Sequence, residues 1–392
     1  MNGFVFCSPT KVIFGKGTAV KVGEEVKALG GKKALLFYGG GSVVKSGLLK
    51  TVTDSLDAAG VKHIDIGGVQ PNPLSELAQE AVDKHKNDGI DFVLAVGGGS
   101  VIDTAKSVAI ALTMPETKVW DIICATVEAK TCLPIGAVLT IAAAGSETSN
   151  SMVLTNNALG IKRGLRTDVA RPKFAIMDPV LTYTTPKQHT AAGVVDIFMH
   201  CVDRYFAPDA NNDVTDSLSE ALMKICIKHG RTVLDKPDDY KARAELLWAG
   251  SLAHNGLTGL GQTMDFSVHG LGAPISAKYD TSHGETLAAT WAAWANHVYK
   301  QDIKRFAKYA RNVWNLDISD DEVAVKAGIK ETVSFFKSLD CPITISEAVG
   351  RDVSEDIDYL ADLCTGGGTR AVGAFKPLNI DDVKQIYTIA MK

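Results

Sequence analysis

The chain has 392 residues, of which 46% are hydrophobic and 22% are charged. This composition is typical of a globular protein of two or three domains, and it excludes disordered, collagen-like and coiled-coil architectures. With 41 basic and 45 acidic residues the net charge is −4, whereas nucleic-acid binding needs a basic surface. No apolar run reaches the roughly 18 residues of a membrane helix, and the N-terminus does not resemble a signal peptide. We therefore expect a cytoplasmic protein that binds neither nucleic acid nor membrane.

The cysteines offer no sign of a disulfide framework or of a thiolate metal site. There are seven of them, an odd number, and they are widely spaced with no C-x-x-C pair: Cys7, Cys124, Cys132, Cys201, Cys226, Cys341 and Cys364. Disulfide-rich domains and structural zinc sites show closer and paired spacings. The cysteines are predicted to be reduced thiols, mostly in the core.

Short apolar runs alternate with helical patterns up to about residue 180. The strand candidates are 33–38, 63–66, 91–96, 134–140 and 174–179, and amphipathic stretches such as 74–86 lie between several of them. Strands that alternate with helices indicate β-α-β units and a parallel sheet covered on both faces. The first half is therefore predicted to be an α/β domain.

After Pro186 the strand patterns largely end and long helical patterns take over. These cover residues 191–206, 215–229, 240–255, 287–298, 303–313, 322–339 and 380–391. Helix propensity is good in these segments and prolines are few. Proline-bearing turns cluster at 179–186, so we predict an α/β domain over 1–183 and an all-α domain over 184–392.

Two glycine-rich turns follow predicted strands. Gly39-Gly40-Gly41-Ser42 ends the first strand, and Gly97-Gly98-Gly99-Ser100 ends the third and opens a helix that Ser100 could cap. Glycine lets the main chain approach a phosphate closely, and free N–H groups at a helix start favour an anion. One such turn alone is equally compatible with a turn that binds nothing. Two at strand ends favour a dinucleotide, although neither is the G-x-G-x-x-G fingerprint.

The first glycine turn also bears on the type of dinucleotide. An acidic residue after this strand would bond the adenosine ribose and repel a 2′-phosphate. Here the positions are Gly39 to Ser42, with Lys45 nearby. The turn therefore leaves room for NADPH and does not exclude NADH.

One carboxylate and three imidazoles form the candidate metal site. Asp196 and His200 are four residues apart, which places them on one face of a helix, and His269 and His283 follow. Such a donor set suits Fe(II) or Zn(II) rather than magnesium. By spacing alone, an ordinary helix-surface pair is the commoner reading of D-x-x-x-H. Six other histidines lack comparable companions and are interpreted as surface or core residues: His63, His85, His189, His229, His254 and His297.

Together these elements resemble the iron-containing (group III) alcohol dehydrogenases, in the branch of butanol dehydrogenases and broad-range aldehyde reductases. The resemblance runs nearly end to end. It rests on the opening segment 6–15, Pro71-Asn72-Pro73, the turn and helix at 97–106, Gly145-Ser146-Glu147, Pro172-Lys173 leading to Asp178-Pro179, the set Asp196/His200/His269/His283, and Lys376-Pro377-Leu378.

This resemblance implies a dinucleotide-binding α/β domain and a helical domain in a dehydroquinate-synthase-like layout, with the active site in the cleft between them. It implies that a divalent metal, Fe(II) first and Zn(II) as the alternative, is held by Asp196, His200, His269 and His283. The implied NAD(P) site is lined by Gly40, Gly41, Ser42, Gly97, Gly98, Gly99, Ser100 and Thr140, with Asn72, Asp103 and Lys162 nearby. A homodimer or larger homo-oligomer is also implied.

Two positions depart from the family pattern. Many members carry a further histidine four residues after the first of the late pair, where this chain has Ala273. That imidazole is a candidate proton relay near the nicotinamide, so the usual relay is absent here. Relatives also often have threonine where this chain has Ala144.

The resemblance implies reduction of small aldehydes, or oxidation of primary alcohols, by metal polarisation of the carbonyl and hydride transfer from NAD(P)H. An alternative is a small anionic aldehyde, such as sulfoacetaldehyde or succinic semialdehyde, attracted by Lys162, Lys278 or Arg370. Two further alternatives are a lyase of the dehydroquinate-synthase type and a metal- and dinucleotide-binding protein without catalysis.

Overall fold

The computed structural model describes residues 1–392 and divides into two compact units. One unit is Cys7–Thr185, and the other is Pro186–Lys392 together with Met1–Phe6. The N-terminal segment joins the second unit through Asn2, whose main-chain N–H donates to the Gly261 carbonyl at 2.8 Å. The division of the chain into a nucleotide-binding domain (1–183) and a metal-binding domain (184–392) stays a prediction.

The first unit contains all eight strands. They are β1 (Lys11–Phe14), β2 (Lys33–Gly39), β3 (Lys62–Val69), β4 (Phe92–Gly97), β5 (Ile135–Leu139), β6 (Ser151–Asn156), β7 (Ile161–Arg166) and β8 (Phe174–Met177). Six of them form a parallel sheet in the order β1-β8-β5-β4-β2-β3, and β6 pairs with β7 as an antiparallel hairpin. The predicted parallel sheet is therefore confirmed.

Six helices accompany this sheet: α1 (Val22–Ala28), α2 (Ser42–Lys45), α3 (Leu48–Ala59), α4 (Ser75–His85), α5 (Gly99–Ala111) and α6 (Val119–Ile123). Alternate residues of β2 and β4 point to the same side of the sheet, so Leu36 and Leu94 share a hydrophobic cluster with Val52 and Leu56 of α3. Every residue of β4 is buried, which explains its uninterrupted apolar sequence.

The second unit is helical, as predicted. Its helices are α7 (Lys187–Tyr205), α8 (Asp213–Asp235), α9 (Tyr240–His254), α10 (Ser267–Tyr279), α11 (His283–Val298), α12 (Ile303–Trp314), α13 (Asp321–Ser338), α14 (Ile345–Val349), α15 (Ile357–Thr365) and α16 (Ile380–Ala390). Aromatic rings fill its core, and Phe206 stacks on Phe306 with ring centroids 4.2 Å apart. Short 3-10 helices lie in the first unit at Thr18–Lys21, Asp168–Ala170 and Pro179–Thr182. In the second unit they lie at Leu257–Gly259, Tyr299–Gln301 and Ser354–Asp356.

Helix α10 is the most important element that the sequence patterns did not predict. It contains Gly270, Gly272 and Pro274, which are poor helix formers. Proline cannot donate a main-chain hydrogen bond, so the carbonyl four residues earlier, on Gly270, loses its helical partner. The Cys364 thiol donates to this carbonyl at 3.4 Å, and the Tyr387 hydroxyl donates to the next carbonyl, on Leu271, at 2.8 Å. Tertiary contacts therefore support a helix that local propensity disfavours.

The β6–β7 hairpin and strand β1 were also absent from the predicted elements. They are short and mostly half-exposed, so they lack the apolar runs that marked the other strands. No helix of the protein combines the length and the apolar character that a bilayer crossing requires.

Candidate functional site

The predicted carboxylate and the three predicted imidazoles lie together in the second unit. Asp196 and His200 are on α7, His269 is on α10, and His283 is the first residue of α11. One oxygen of Asp196, Oδ1, lies 3.2 Å from His200 Nδ1, 3.7 Å from His269 Nε2 and 3.9 Å from His283 Nε2. Ligand atoms of Asp196, His200 and His269 all lie within 4.8 Å of one another. We call these four residues the Asp–His cluster.

The Asp–His cluster has the chemistry of a site for a transition-metal cation. Asp196 Oδ1 and His269 Nε2 are both buried and have no hydrogen-bond partner in the protein. Buried polar atoms are rarely left in this state unless something else satisfies them. A single carboxylate oxygen faced by three imidazole rings is a donor set that Fe(II) and Zn(II) accept. The residues present therefore fit a divalent cation.

Electrostatics favour a neutral His200 and an ionised Asp196, whereas the hydrogen bonds and charges of Asp196 and Asp203 outweigh burial and raise the pKa of His269. Burial lowers the pKa of His200 to about 4, so this ring is neutral at physiological pH. Its Nδ1 lies 2.9 Å from the Asp196 main-chain oxygen and donates to it, which leaves the lone pair on Nε2. Burial alone would raise the pKa of Asp196, but the facing rings of His200 and His269 outweigh burial and hold that pKa well below its usual range.

A second carboxylate, on Asp203, orients the ring of His269. Asp203 is fully buried, and its Oδ2 accepts from the His269 main-chain N–H at 3.0 Å and from His269 Nδ1 at 2.5 Å. A proton on Nδ1 leaves Nε2 as the ring atom that faces Asp196, an arrangement common around metal-ligating histidines. The sequence analysis missed Asp203. The spacing could have revealed it, because Asp196, His200 and Asp203 lie on the same face of α7.

The start of α10 is held by another buried carboxylate, on Asp265. Its Oδ1 accepts from the main-chain N–H groups of Ala374 and Phe375, each at 2.7 Å, and its Oδ2 accepts from that of Ser267 at 3.0 Å. Burial, together with the nearby charge of Asp203, raises the pKa of Asp265 to about 6. These bonds anchor the helix that carries His269 to the segment around residues 374–375.

A close approach of two helices places His283 beside Asp196. Gly284 follows His283 at the start of α11, and a Cβ atom added to it would lie 2.0 Å from the main-chain oxygen of Ala192. Ala192 is one helical turn before Asp196 on α7. Only glycine fits at this contact, so Gly284 allows α11 to bring its first residue to the Asp–His cluster.

We expect Gly284→Ala to disturb both packing and the Asp–His cluster. The added methyl group must push α11 away from α7, which should destabilise the protein by about 1–3 kcal/mol. The same displacement moves His283 and should weaken Co(II) binding by about tenfold or more. Thermal unfolding and Co(II) titration would measure the two effects. Gly3→Ala is the control, because no atom lies within 4 Å of its added Cβ. Unchanged stability and affinity in Gly284→Ala would contradict this explanation.

In the first unit, the two predicted glycine turns lie at neighbouring strand ends. The residues 39–42 end β2 and begin α2, and the residues 97–100 end β4 and begin α5. Thr140 follows β5, and its main-chain N–H donates to the Gly97 carbonyl at 3.1 Å. Since β5, β4 and β2 are adjacent in the sheet, Gly40, Gly41, Ser42, Gly97, Gly98, Gly99, Ser100 and Thr140 share one sheet edge. Ligands of parallel sheets bind at this edge.

The glycines of these turns differ in whether the fold requires them. An added Cβ would lie 2.5 Å from Val101 at Gly97 and 2.6 Å from Ile141 at Gly98, and Gly41 has a φ of +135°. At Gly99 the nearest atom would be 3.4 Å away, an ordinary contact, and at Gly40 nothing lies within 4 Å. Packing therefore explains some of these glycines, while Gly40 and Gly99 leave space at the surface of the turns. The expectation that Ser100 caps α5 is wrong, because the helix already begins at Gly99.

The three remaining predicted residues lie close to this edge. Lys162, on β7, donates to Asn72 Oδ1 at 2.9 Å, although the two are 90 positions apart. Asp103, on α5, accepts from Ser146 Oγ at 2.6 Å and from the Val153 main-chain N–H at 2.9 Å. Burial raises the pKa of Asp103 despite its charged neighbours. Asp103 thus ties the β6 region to α5.

A buried lysine completes this arrangement, one that the sequence analysis included in the motif at 97–106 without assigning it a role. Lys106 is 0% exposed, and its ammonium group donates to the carbonyls of Ser146, Ser149 and Ser151 at 2.7, 3.0 and 2.7 Å. Burial lowers its pKa to about 8. Three N–H groups are matched to three carbonyls, so Lys106 holds the loop that precedes β6.

The protein thus has a parallel α/β unit with glycine turns at one sheet edge and a helical unit that carries the Asp–His cluster. Residues 9–179 match the family described as "Iron-containing alcohol dehydrogenase", and residues 190–391 match the "Fe-containing alcohol dehydrogenase family, C-terminal". The chain therefore belongs to the iron-containing alcohol dehydrogenase family, which confirms the resemblance seen in the sequence.

Individual relatives match over their whole length. The chain is 36% identical to NADH-dependent butanol dehydrogenase A of Clostridium acetobutylicum, over 99% of both chains. It is also 36% identical to the NADPH-dependent aldehyde reductase YqhD of Escherichia coli, over 100% of both chains. Its fold superposes on the crystal structure of NADH-dependent butanol dehydrogenase A from Thermotoga maritima with a TM-score of 0.96 and 34% identity, covering 100% of this chain and 99% of the other.

Proposed function

We propose that this protein is a metal-dependent, NAD(P)H-linked alcohol dehydrogenase that reduces small uncharged aldehydes and oxidises the matching primary alcohols. The observation that carries the proposal is one buried carboxylate oxygen, on Asp196, faced by three imidazoles and without a hydrogen-bond donor. Family membership and relatives that are named butanol dehydrogenase and aldehyde reductase support the same reaction class.

In this proposal, Asp196, His200, His269 and His283 hold the cation, with Fe(II) as the first candidate and Zn(II) as the second. A cation held there supplies a Lewis acid for the substrate oxygen. Asp196 contributes a negative charge, and Asp203 keeps the proton of His269 on Nδ1, 2.5 Å away, so that Nε2 can ligate. Asp265 anchors the start of α10. Gly284 allows α11 to approach α7 closely enough for His283 to join the Asp–His cluster.

The dinucleotide is proposed to bind at the sheet edge, where it supplies the hydride. The turn of Gly97, Gly98, Gly99 and Ser100 would cradle the pyrophosphate at the start of α5, since a helix N-terminus favours an anion. Gly40, Gly41 and Ser42 would face the adenosine ribose, and Thr140, Asn72, Asp103 and Lys162 would complete the site.

The surroundings of three basic side chains favour an uncharged substrate. Lys278 forms an ion pair with Asp356 and lies 4.4 Å from the centroid of the Tyr359 ring. Arg370 donates to the Cys364 carbonyl at 3.1 Å, and Lys162 donates to Asn72. Each of these groups is engaged with the protein, and the charge of Lys278 is offset by a carboxylate. An anionic aldehyde would need a positive charge that is not already committed.

Because position 273 is alanine, α10 offers no imidazole there to protonate the product oxygen. We propose that water supplies this proton. A homodimer or larger assembly and a cytoplasmic location stay predictions.

The proposal can be tested on full-length protein that is stripped of metal and reloaded anaerobically with Fe(II) or Zn(II). NADPH and NADH oxidation would be followed with butanal, lactaldehyde, succinic semialdehyde and sulfoacetaldehyde. We expect metal-dependent, stoichiometric coenzyme oxidation and at least about a tenfold preference for the uncharged aldehydes. A lyase or a non-catalytic binder would give no net consumption of NAD(P)H with any of them. A preference for sulfoacetaldehyde or succinic semialdehyde would favour the anionic alternative.

Coenzyme choice gives a further prediction. With no carboxylate in the residues 39–42, the protein should accept NADPH, and an acidic residue there should repel the 2′-phosphate. We expect Gly40→Asp to lower kcat/KM for NADPH by about 100-fold and to leave that for NADH within about threefold. The Cβ atom of the new side chain meets no obstacle, because nothing lies within 4 Å of its position. Gly40→Asn is the uncharged control. Equal losses with both coenzymes in Gly40→Asp would show that this turn does not face the adenosine ribose.

A further inference from the structure

A fourth imidazole lies against the Asp–His cluster, on a residue that the sequence patterns placed among ordinary surface or core histidines. His254 is the last residue of α9 and is half-buried. Its ring packs edge-to-face on the ring of His200, with centroids 4.1 Å apart and an interplanar angle of 64°. This distance is shorter than the 4.5 Å that separates the rings of His200 and His269. His254 is therefore the nearest aromatic neighbour of a proposed ligand.

The ring of His200 needs support from outside its own helix. Its Nδ1 donates to the Asp196 main-chain oxygen at 2.9 Å, a bond within α7. The same Nδ1 also lies 3.2 Å from Asp196 Oδ1, and contacts of one ring nitrogen with one residue of the same helix leave the tilt of the ring to its packing neighbours. One of these, His269, is itself a proposed ligand and is oriented by Asp203. The other, His254, comes from α9, a helix that carries no member of the Asp–His cluster.

Ligand atoms of Asp196, His200 and His269 lie within 4.8 Å of one another, and His283 Nε2 lies 3.9 Å from Asp196 Oδ1. These four residues supply one carboxylate and three imidazole donors, a set that a divalent transition-metal cation accepts without a further ring nitrogen. An edge-to-face contact of aromatic rings stabilises one relative orientation of the two rings. The geometry thus assigns His254 to packing rather than to ligation.

We propose that His254 is a positioning residue for His200: its ring holds the His200 ring in the orientation in which Nε2 faces the shared cation. The assignment rests on the proposed metal-dependent function. It predicts that the His254 ring supports the site by packing and that its nitrogen atoms do not ligate the cation. Groups that orient metal-ligating histidines without touching the metal affect affinity by about 10-fold to 100-fold when removed.

The experiment compares His254→Ala, which removes the ring, with His254→Phe, which keeps an aromatic ring and removes both nitrogens. His189→Ala, at an exposed position of α7, is the matched control. Each full-length protein is stripped with a chelator and titrated with Co(II), and Zn(II) affinity is measured by competition with a chromophoric chelator. The d–d absorption of bound Co(II) and the thermal midpoint of the metal-free protein complete the measurement.

We expect His254→Ala to bind Co(II) and Zn(II) about 10-fold to 100-fold more weakly than the parent. His254→Phe should stay within about threefold of the parent and keep its d–d spectrum, because rescue by a ring alone is the signature of packing. The thermal midpoints of the metal-free proteins separate a change in metal affinity from a loss of folding.

Two results would overturn the assignment. Equal affinities of parent and His254→Ala would show that His254 does not support the site. Weak binding by His254→Phe with an altered d–d spectrum would show that His254 is itself a ligand. A parent protein that binds neither Co(II) nor Zn(II) would overturn the proposed function and this assignment with it, so the two failures are distinguishable.

Discussion

Asp196→Asn is expected to lower the affinity for Co(II) and Zn(II) by more than about 100-fold, beyond the losses seen when outer groups of metal sites are removed. Asp196 Oδ1 lies within 3.9 Å of a nitrogen from each of the three imidazoles, and Asp196 is the only anionic donor of the cluster. Asparagine keeps the shape of the side chain and removes its charge. Aldehyde reduction with NADPH should fall by at least the same factor.

The measurement pairs a Zn(II) competition titration with steady-state kinetics on the reloaded protein. Asp340→Asn is the matched control, since Asp340 is an exposed carboxylate that pairs with Lys187 at 2.7 Å. It should keep both metal binding and activity. If Asp196→Asn retained its metal and full activity, the ligand assignment would be wrong, whatever the behaviour of the control.

Lys106→Met is expected to lower the free energy of unfolding by about 3–5 kcal/mol, the usual cost of breaking a buried charged network from one side. The substitution leaves the carbonyls of Ser146, Ser149 and Ser151 without their donor and removes the positive charge beside Asp103. Urea unfolding followed by circular dichroism would measure the loss. Because the same loop borders the proposed nucleotide site, the KM for NADPH should rise as well.

Lys50→Met is the control for this change, because Lys50 is exposed and forms a surface pair with Asp54 on α3. Such pairs contribute about 0–1 kcal/mol. A Lys106→Met protein as stable as the parent would show that the ammonium group is not needed to hold the loop.

The pH dependence of stability gives an independent check on Lys106. Burial lowers its pKa to about 8 in the folded protein, from 10.5 in the unfolded chain. Between these values the unfolded chain binds more protons, so the contribution of Lys106 to the free energy of unfolding should rise with pH. The difference in stability between parent and Lys106→Met is therefore expected to grow as pH increases from 8 towards 10.5.

Much of the site could be predicted because some signals are local. The i, i+4 spacing of Asp196 and His200 requires only that the segment be helical, and glycines after apolar runs mark strand-to-helix turns. Asp203 lies on the same face of α7, but its role cannot be predicted until the residue that it contacts is known. The contact of His254 with His200 joins two helices that are far apart in sequence, and no spacing rule predicts it.

By itself, the sequence determined the fold class, the two glycine turns and the residue types of the Asp–His cluster, because these follow from hydrophobic period, turn chemistry and donor preference. Only the tertiary structure decided that α10 is a helix, that Gly284 permits the approach of α11 to α7, and that Lys106, Asp203 and His254 support the sites. Those facts depend on contacts between distant segments, where a close approach or a buried charge is tolerated only once its partners are in place.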